Sequence, residues 1–216
     1  FTLTSTPYEE FISLHIRIVG DWTEEFARRC GCVYEKDDDQ YSNPIPVTSL
    51  PYVMIDGPYG SASEDVFKKE VALLVGAGIG VTPFASILKT IWYKVKNPSA
   101  DTNNKLKKSF FVWVCREKEA FEWFHDLLLS IDEENLDGES LDVCSFLTGG
   151  LKIDELRNVI VNDEEGIRDA ITGLRSPTYF GRPNWDSIFS MIRKSYPRSD
   201  VGVYFCGPKV ISRTLH

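Results

Sequence analysis

Three glycines stand close together in the stretch GAGIGVTP, directly after the apolar run EVALLV. Glycine lets a backbone approach a ligand closely and adopt positive φ angles. A helix that begins with Thr82 as its N-cap and Pro83 as its first residue would point free N–H groups at an anion. The stretch therefore predicts a site for the paired phosphates of a dinucleotide, unless the glycines serve only a tight turn; its residues are Gly76, Gly78, Ile79, Gly80, Val81, Thr82 and Pro83.

This glycine-rich stretch differs from two known phosphate-binding motifs. Its third glycine comes one residue earlier than in the dinucleotide motif G-x-G-x-x-G, and it lacks the lysine of the P-loop. The missing lysine makes a nucleoside triphosphatase a poor candidate.

Two arginines could bind the 2′-phosphate that distinguishes NADP from NAD. Arg116 follows the apolar run SFFVWVC, near the position where NAD-binding proteins carry an acid for the ribose hydroxyls. Glu117 beside it weakens this inference. Arg182 lies in GRPNW, where the neighbouring glycine and proline would stiffen the loop. The alternative is a surface arginine at a strand end for Arg116 and a turn arginine in a salt bridge for Arg182.

A cysteine ends the last predicted strand, in YFCGP. The small side chain of Cys206 could pack beside a nicotinamide without blocking it, although a small buried hydrophobic residue is the alternative. Gly207 and Pro208 would form another turn from strand to helix that faces the same cleft. No histidine is placed by sequence to activate Cys206, so we do not expect a nucleophile.

Strand-like and helix-like segments alternate from residue 63 onward, beginning with EVALLVGAG and ending with VGVYFCGP. This alternation predicts an α/β domain with a doubly wound parallel sheet over residues 63–216. Residues 1–62 have the pattern of strands joined by loops, with Thr23 able to cap a short helix. We therefore expect a β domain followed by an α/β domain.

Composition argues against several classes of protein. The net charge of −8 disfavours binding to nucleic acid, and no apolar run reaches the roughly 18 residues of a membrane-spanning helix. The five cysteines show no disulfide framework, which favours a reduced, intracellular setting. Cys30 and Cys32 lack a second ligand pair at metal spacing, so we predict no metal site. The strand-like opening at Phe1 suggests a piece of a longer protein.

An ordered set of motifs covers nearly the whole chain: FTLTS, HIRIVGDWT, DGPYG, GAGIGVTPFASILK, FEWF, GRPNWD and CGP. Together they resemble the cytosolic dehydrogenase region of the NADPH oxidases, within the ferredoxin–NADP reductase superfamily. The form GAGIGVTP is similar to the phagocyte and fungal branch. The resemblance implies a partial antiparallel β-barrel that binds FAD over residues 1–62. It also implies an NADPH-binding α/β domain, without its C-terminal end, over residues 63–216.

The resemblance implies a flavin site in the first domain. Phe1 would lie against the isoalloxazine ring, and Thr2 would hydrogen-bond near the reactive nitrogen of the flavin. Arg17 and Thr23 would hold the flavin pyrophosphate. The complete set of expected flavin-binding residues is Phe1, Thr2, Thr4, Ser5, His15, Arg17, Trp22 and Thr23.

The resemblance also implies roles around the nicotinamide nucleotide. Pro58 would shape the floor of the nicotinamide cleft, and Thr148 would lie close to the cofactor. Cys206 would lie near the nicotinamide and, with Thr2, is the predicted catalytic residue. The expected NADPH-binding residues are Pro58, Gly76, Gly78, Ile79, Gly80, Val81, Thr82, Pro83, Arg116, Thr148, Arg182, Cys206, Gly207 and Pro208.

The implied activity is hydride transfer from NADPH to FAD. Electrons would then pass singly to haem in a transmembrane domain of the same polypeptide and on to dioxygen, which forms superoxide. The chain would lie at the cytosolic face of a membrane and bind cytosolic activator proteins. Alone, it is expected to bind FAD poorly and to show little activity, because part of the flavin barrel would lie upstream of Phe1.

Two alternatives to the oxidase stay open. A ferric-chelate reductase would share the fold and the route from flavin to haem. A docking surface for activator proteins, formed by residues 35–49 and 151–176, would need no enzymatic role, and it could also coexist with one.

Overall fold

The computed structural model describes residues 1–32, 50–97, 105–134, 140–149, 168–169 and 171–215. Of the two segments predicted as a docking surface, 35–49 lies outside the described residues, and so does most of 151–176. The chain divides into two compact units. The first unit comprises Phe1 and Leu14–Gly60, and the second comprises Thr2–Ser13 and Ser61–His216.

The second unit is built on a parallel five-stranded sheet with the order β4-β3-β2-β1-β5. The strands are β1 (Val71–Ala77), β2 (Lys108–Cys115), β3 (Leu141–Leu147), β4 (Thr178–Phe180) and β5 (Val201–Cys206). Helices follow or separate them: α2 (Thr82–Lys96), α3 (His125–Glu134), α4 (Trp185–Ser195) and α5 (Lys209–Thr214), with 3-10 segments at Ala62–Lys68, Gly78–Val81 and Lys118–Phe124. The predicted doubly wound parallel sheet is confirmed.

Both faces of this sheet are covered, because alternate side chains along each strand enter different cores. On one face, Leu74 and Trp113 pack with Phe84 and Leu88 of α2. On the other, Val75 and its neighbours on β2 pack with Ile192 of α4 and with side chains of α5. Burial on both faces explains why the central strands β1 and β2 appear in the sequence as nearly continuous apolar runs.

The direction of chain progress through the sheet reverses at β1. From β1 the chain passes through β2 and β3 to β4 on one side, whereas β5 lies on the other side of β1. Because all five strands are parallel, their carboxyl ends share one edge of the sheet. In such folds the crevice at the reversal, here between β1 and β5, is where ligands bind.

The first unit contains α1 (Asp21–Arg29), in which no residue is buried. Thr23 does not cap this helix as predicted, because Gly20 is the N-cap. The Thr23 hydroxyl, three residues into the helix, instead accepts hydrogen bonds from the backbone N–H groups of Val19 and Gly20, at 3.0 and 3.1 Å. The helix starts earlier than predicted because this side chain reaches back to the preceding backbone.

The strands predicted over residues 1–62 do not form a ladder in the part of this region that the structure describes. Alternating apolar residues favour extended backbone, but a strand needs a hydrogen-bonded partner along its length. Residues 52–60 accordingly form no regular secondary structure and are exposed. The predicted boundary between residues 62 and 63 stays a prediction. Among the described residues, no helix is both long and apolar enough to cross a membrane.

Candidate functional site

The turns after β1 and β5 meet at very close range. Gly80 packs so tightly on the backbone of Cys206 that a Cβ atom added to it would overlap the Cys206 carbonyl group. A Cβ atom on Gly207 would lie 2.7 Å from the Cβ of Ala77. The structure therefore brings together the two predicted glycine turns, which are more than a hundred residues apart in the chain, at the crevice between β1 and β5.

Gly78 is the residue of this turn that faces open space. Its φ angle is +54°, a left-handed conformation that favours glycine, and a Cβ atom there would have no neighbour within 4 Å. Its carbonyl oxygen accepts a hydrogen bond from the indole Nε1 of Trp113 at 3.2 Å. Its backbone N–H contacts the sulfur of Cys115. Two residues of β2 thus hold the turn while one side of it stays open to a ligand.

Helix α2 begins at this turn, and its first residue corrects a detail of the prediction. Thr82 is already helical and Val81 is the N-cap, so Thr82 does not cap the helix with its side chain. Its hydroxyl donates instead to the carbonyl oxygen of Ile79 at 3.1 Å, which closes the preceding 3-10 turn. The 15-residue helix has no acidic residue in its first turn. Its positive end is therefore available to an anion.

Arg116 lies at the end of β2, next to β1 in the sheet. Its backbone contacts Gly149 so closely that a Cβ atom on that glycine would overlap the Arg116 carbonyl oxygen. Thr148 donates two hydrogen bonds to the carbonyl oxygen of Cys115, from its N–H at 2.8 Å and its hydroxyl at 3.0 Å. Sequence reasoning missed Gly149, although the glycine pair after the β3 run was a signal for a close approach.

Arg182 follows β4, at the far edge of the sheet. It comes after Gly181, whose φ is +94° and whose N–H donates to the Leu147 carbonyl oxygen at 2.8 Å. Strand spacing puts Arg116 about 5 Å and Arg182 about 14 Å from β1 along the sheet. Both side chains are exposed, and within the described residues neither forms an ion pair. The two guanidinium groups are therefore available to a bound phosphate, at different distances from the glycine turn.

The cysteines at the strand ends are neutral thiols. Burial raises the pKa of the Cys206 thiol above its ordinary value. Burial also raises the pKa of Cys115 to about 12, although the Gly78 hydrogen bond acts to lower it. A protonated thiol is a poor nucleophile. This agrees with the expectation that Cys206 serves as a small packing residue in the crevice.

The predicted flavin residues of Thr2–Ser13 form a short hydrogen-bonded segment in the second unit. Thr4 is fully buried, and its hydroxyl lies 2.9 Å from that of Ser13. The backbone N–H of Ser13 donates to the hydroxyl of Ser5 at 3.0 Å. These side chains therefore hold the segment together, whereas Thr2 is exposed.

In the first unit, predicted flavin residues form an exposed aromatic stack. The ring of Phe1 lies 5.4 Å from that of Trp22, which in turn lies 5.3 Å from Phe26. Phe1 is 80% and Trp22 62% exposed, which leaves aromatic surface for a planar ligand. His15, Arg17 and Pro58 are also exposed in this unit. Their predicted roles, like those of the other site residues, stay predictions.

The described part of the chain holds no group of three side chains suited to a metal ion. The space in front of Gly78, the start of α2 and the two accessible guanidinium groups would suit the phosphates of a nicotinamide nucleotide.

Comparison with known proteins identifies two families. Residues 69–216 match the family "Ferric reductase NAD binding domain", and residues 1–63 match the family "FAD-binding domain". These matches confirm the ferredoxin–NADP reductase-like fold. They also confirm FAD and a nicotinamide dinucleotide as the cofactors of such domains.

Curated relatives include a heavy chain of the superoxide-generating NADPH oxidase of Dictyostelium discoideum, which is 44% identical over 222 residues, 100% of this chain and 41% of that protein. NADPH oxidase 3 of Homo sapiens is 45% identical over 218 residues, 100% of this chain and 36% of that protein. Respiratory burst oxidase homolog protein B of Solanum tuberosum is 31% identical over 232 residues, 97% of this chain and 27% of that protein.

The chain therefore spans about two fifths or less of the length of these relatives. Their identity along the whole chain confirms the resemblance to the dehydrogenase region of NADPH oxidases. Since one family match covers most of its residues, the chain belongs to the ferric reductase NAD binding domain family, here preceded by a domain of the FAD-binding family.

Proposed function

We propose that the chain is the dehydrogenase part of a superoxide-forming NADPH oxidase. The observation that carries the proposal is the crevice between β1 and β5, where Gly80 packs on Cys206 and Gly78 leaves open space before α2. The names of the relatives, which include superoxide-generating NADPH oxidases, support this choice of reaction.

When bound, NADPH supplies a hydride, and FAD accepts it and passes electrons on one at a time. The chain contributes binding and orientation. The turn Gly78–Val81 and the start of α2 bind the pyrophosphate through backbone N–H groups. Arg116, one strand away from β1, binds the 2′-phosphate, and Arg182 approaches it from the β4 end. Pro58 and Thr148 complete this set of proposed contacts.

Cys206 acts in this proposal as a neutral residue that packs beside the nicotinamide without reacting. Its burial keeps the thiol protonated, so it adds no negative charge near the departing hydride. The β5 turn that carries it is held in place by the contact with Gly80. Hydride transfer needs no general base, which fits a crevice built mainly from backbone and small side chains.

The predicted flavin contacts are proposed residue by residue. Phe1 and Trp22 offer aromatic surface to the isoalloxazine ring, with Thr2 nearest the reacting nitrogen. Arg17 and Thr23, with His15, contact the pyrophosphate region. Thr4 and Ser5 act through the hydrogen bonds that shape the segment carrying Thr2, since Thr4 is fully buried.

The remaining parts of the activity concern a longer protein. A transmembrane haem domain of the same polypeptide would take the electrons, cytosolic activators would bind, and this region would lie at the cytosolic face of the membrane. The description of the matched family favours one second candidate, a ferric-chelate reductase, which differs in the final acceptor.

The test uses the full-length protein reconstituted with FAD in membranes. Anaerobic mixing with NADPH should bleach the absorbance of oxidised flavin, and NADH should act more slowly. Dioxygen and a ferric chelate are then offered separately as acceptors. Superoxide formation would support the oxidase, and preferential ferric reduction would favour the second candidate. No flavin reduction by either nucleotide would contradict both.

A further inference from the structure

The segment Thr2–Ser13 is attached to helix α2 by two side-chain contacts. This segment belongs to the FAD-binding family match but lies in the same compact unit as the parallel sheet. Glu9 Oε1 lies 2.8 Å from Lys89 Nζ. The rings of Tyr8 and Tyr93 stack with centroids 3.8 Å apart and planes within 9°. We call these two contacts the α2 anchor.

The ion pair of the α2 anchor is partly shielded from water. The Lys89 and Glu9 side chains are 21% and 26% exposed, in contrast to the surface pair Lys68–Asp65, at 77% and 59%. Partial burial reduces the screening of the two charges by solvent and salt. This pair should therefore contribute more to the free energy of unfolding than the small amount typical of exposed pairs. Burial alone would raise the pKa of Glu9, but hydrogen bonds from Lys89 and Thr6 outweigh it and lower the pKa.

Glu9 is also fixed within its own segment. Its Oε2 accepts a hydrogen bond from the Thr6 N–H at 2.6 Å, and its backbone N–H donates to the Thr6 carbonyl oxygen at 3.1 Å. From there the segment is tied together by the bonds of Thr4 and Ser5 to Ser13. A short series of hydrogen bonds thus connects α2 to the segment that carries the proposed flavin contacts Thr2, Thr4 and Ser5.

Lys89 and Tyr93 are four residues apart on α2, so they lie on one face of the helix. They stand about 10 and 16 Å along the axis from the start that is proposed to bind the pyrophosphate. The same rigid helix therefore carries the proposed nucleotide site at one end and holds the segment Thr2–Ser13 on its side. We call Thr2–Ser13 the flavin segment.

We propose that the α2 anchor positions the flavin segment relative to the nicotinamide nucleotide and so sets the geometry of hydride transfer. This inference rests on the proposed function. Its four side chains are positioning residues, outside the set proposed to bind either cofactor. A small displacement of reacting groups can lower a rate strongly while leaving binding intact.

The experiment compares the full-length protein with Glu9→Gln, Lys89→Met and the charge exchange E9K/K89E. Each single variant should lower the rate constant kcat for FAD reduction by NADPH about tenfold, with KM for NADPH changed less than about twofold. The exchange should recover rate relative to Glu9→Lys alone, because both lack the acceptor for the Thr6 N–H and only the exchange re-forms the ion pair. Tyr8→Leu should slow the reaction and Tyr8→Phe should not, since it keeps the ring. Lys68→Met is the control that removes an exposed pair.

Circular dichroism and thermal unfolding verify that each variant is folded, and the charge exchange carries the test if a single variant is not. Unchanged kcat in folded Glu9→Gln and Lys89→Met would overturn the inference, as would a higher KM with normal kcat. A charge exchange that is no faster than Glu9→Lys alone would also overturn it. If the unaltered protein does not reduce FAD with NADPH, the proposed function itself fails.

Discussion

In the sheet unit β1 is buried along its whole length, whereas in the first unit α1 has no buried residue and its Trp22 is exposed. The proposed nucleotide site is made of backbone that strands and helices hold on both faces. The proposed flavin contacts of the first unit are mostly exposed side chains, and Thr23 makes hydrogen bonds to residues three and four positions before it. Substitutions should therefore act through packing in the sheet unit and through individual hydrogen bonds in the first.

The largest effect is expected from Gly80→Ala in the sheet unit. The new Cβ would overlap the Cys206 carbonyl group, so the β1 or β5 turn must move. We expect a loss of about 3 kcal/mol in the free energy of unfolding, together with loss of NADPH binding. Urea denaturation and fluorescence titration with NADPH would measure the two effects.

Gly20→Ala is the matched control in the first unit. A Cβ atom at Gly20 meets nothing within 4 Å, and its φ of −174° is extended backbone that any residue adopts. The substitution should leave NADPH binding unchanged. Equal losses from the two substitutions would contradict the claim that the crevice depends on close backbone packing.

The next effect concerns cofactor selectivity. Arg116→Ala or Arg182→Ala should reduce the preference for NADPH over NADH by roughly 1.5 to 3 kcal/mol, the value of a charge-assisted contact to phosphate. The ratio of dissociation constants for the two nucleotides measures it. Arg198→Ala is the control. Arg198 precedes β5, so it lies near the amino-terminal ends of the strands and away from the carboxyl ends that form the crevice. Unaltered selectivity in both variants would remove the two arginines from the site.

Asp169 offers a smaller, pH-dependent test inside the sheet unit. Its carboxylate accepts hydrogen bonds from the N–H and hydroxyl groups of Thr172 and Thr178, and so holds the start of β4. Burial alone would raise the pKa of Asp169, but these hydrogen bonds outweigh it and lower the pKa. A carboxylate whose pKa is lowered in the folded state stabilises the fold at pH values above its unfolded-state pKa of about 4. That stability is lost as the pH falls through the folded-state pKa.

Asp169→Asn should therefore reduce the free energy of unfolding by about 1.5 kcal/mol at neutral pH. The difference from the unaltered protein should shrink as the pH falls below about 4. Denaturation curves over a series of pH values would measure it. A difference that does not vary with pH would mean that the charge of Asp169 is not what holds β4.

The smallest effect is expected in the first unit. Thr23→Ala removes the acceptor for the N–H groups of Val19 and Gly20 and should cost about 1 kcal/mol locally. Hydrogen exchange of those two amides would show it, with no change in the β1 amides. Thr23→Ser keeps the hydroxyl and should behave like the unaltered chain. Faster exchange throughout the sheet would mean that the two units are not stabilised separately.

Local patterns in the sequence were sufficient for much of the sheet unit. Four of its strands are predicted from the sequence, and the motif GAGIGVTP predicts both the turn and the helix after β1. The motif set also led to the two cofactor-binding families that the comparisons confirm. These properties follow from neighbouring residues, because periodicity, glycine conformation and helix starts are local.

Other properties depended on which segments meet in space. Strand β4 has three residues, too few for a recognisable period, and it is placed by its pairing with β3 and by the Asp169 hydrogen bonds. The reversal of strand order at β1 brings Gly80 against Cys206. The pairing of β1 with β2 brings Trp113 onto the Gly78 carbonyl oxygen. The sequence by itself determined which residues could bind phosphate and turn the chain. Only the tertiary structure decided which turns face each other and what anchors Glu9 to Lys89, because contacts between distant residues depend on strand order, which no local pattern encodes.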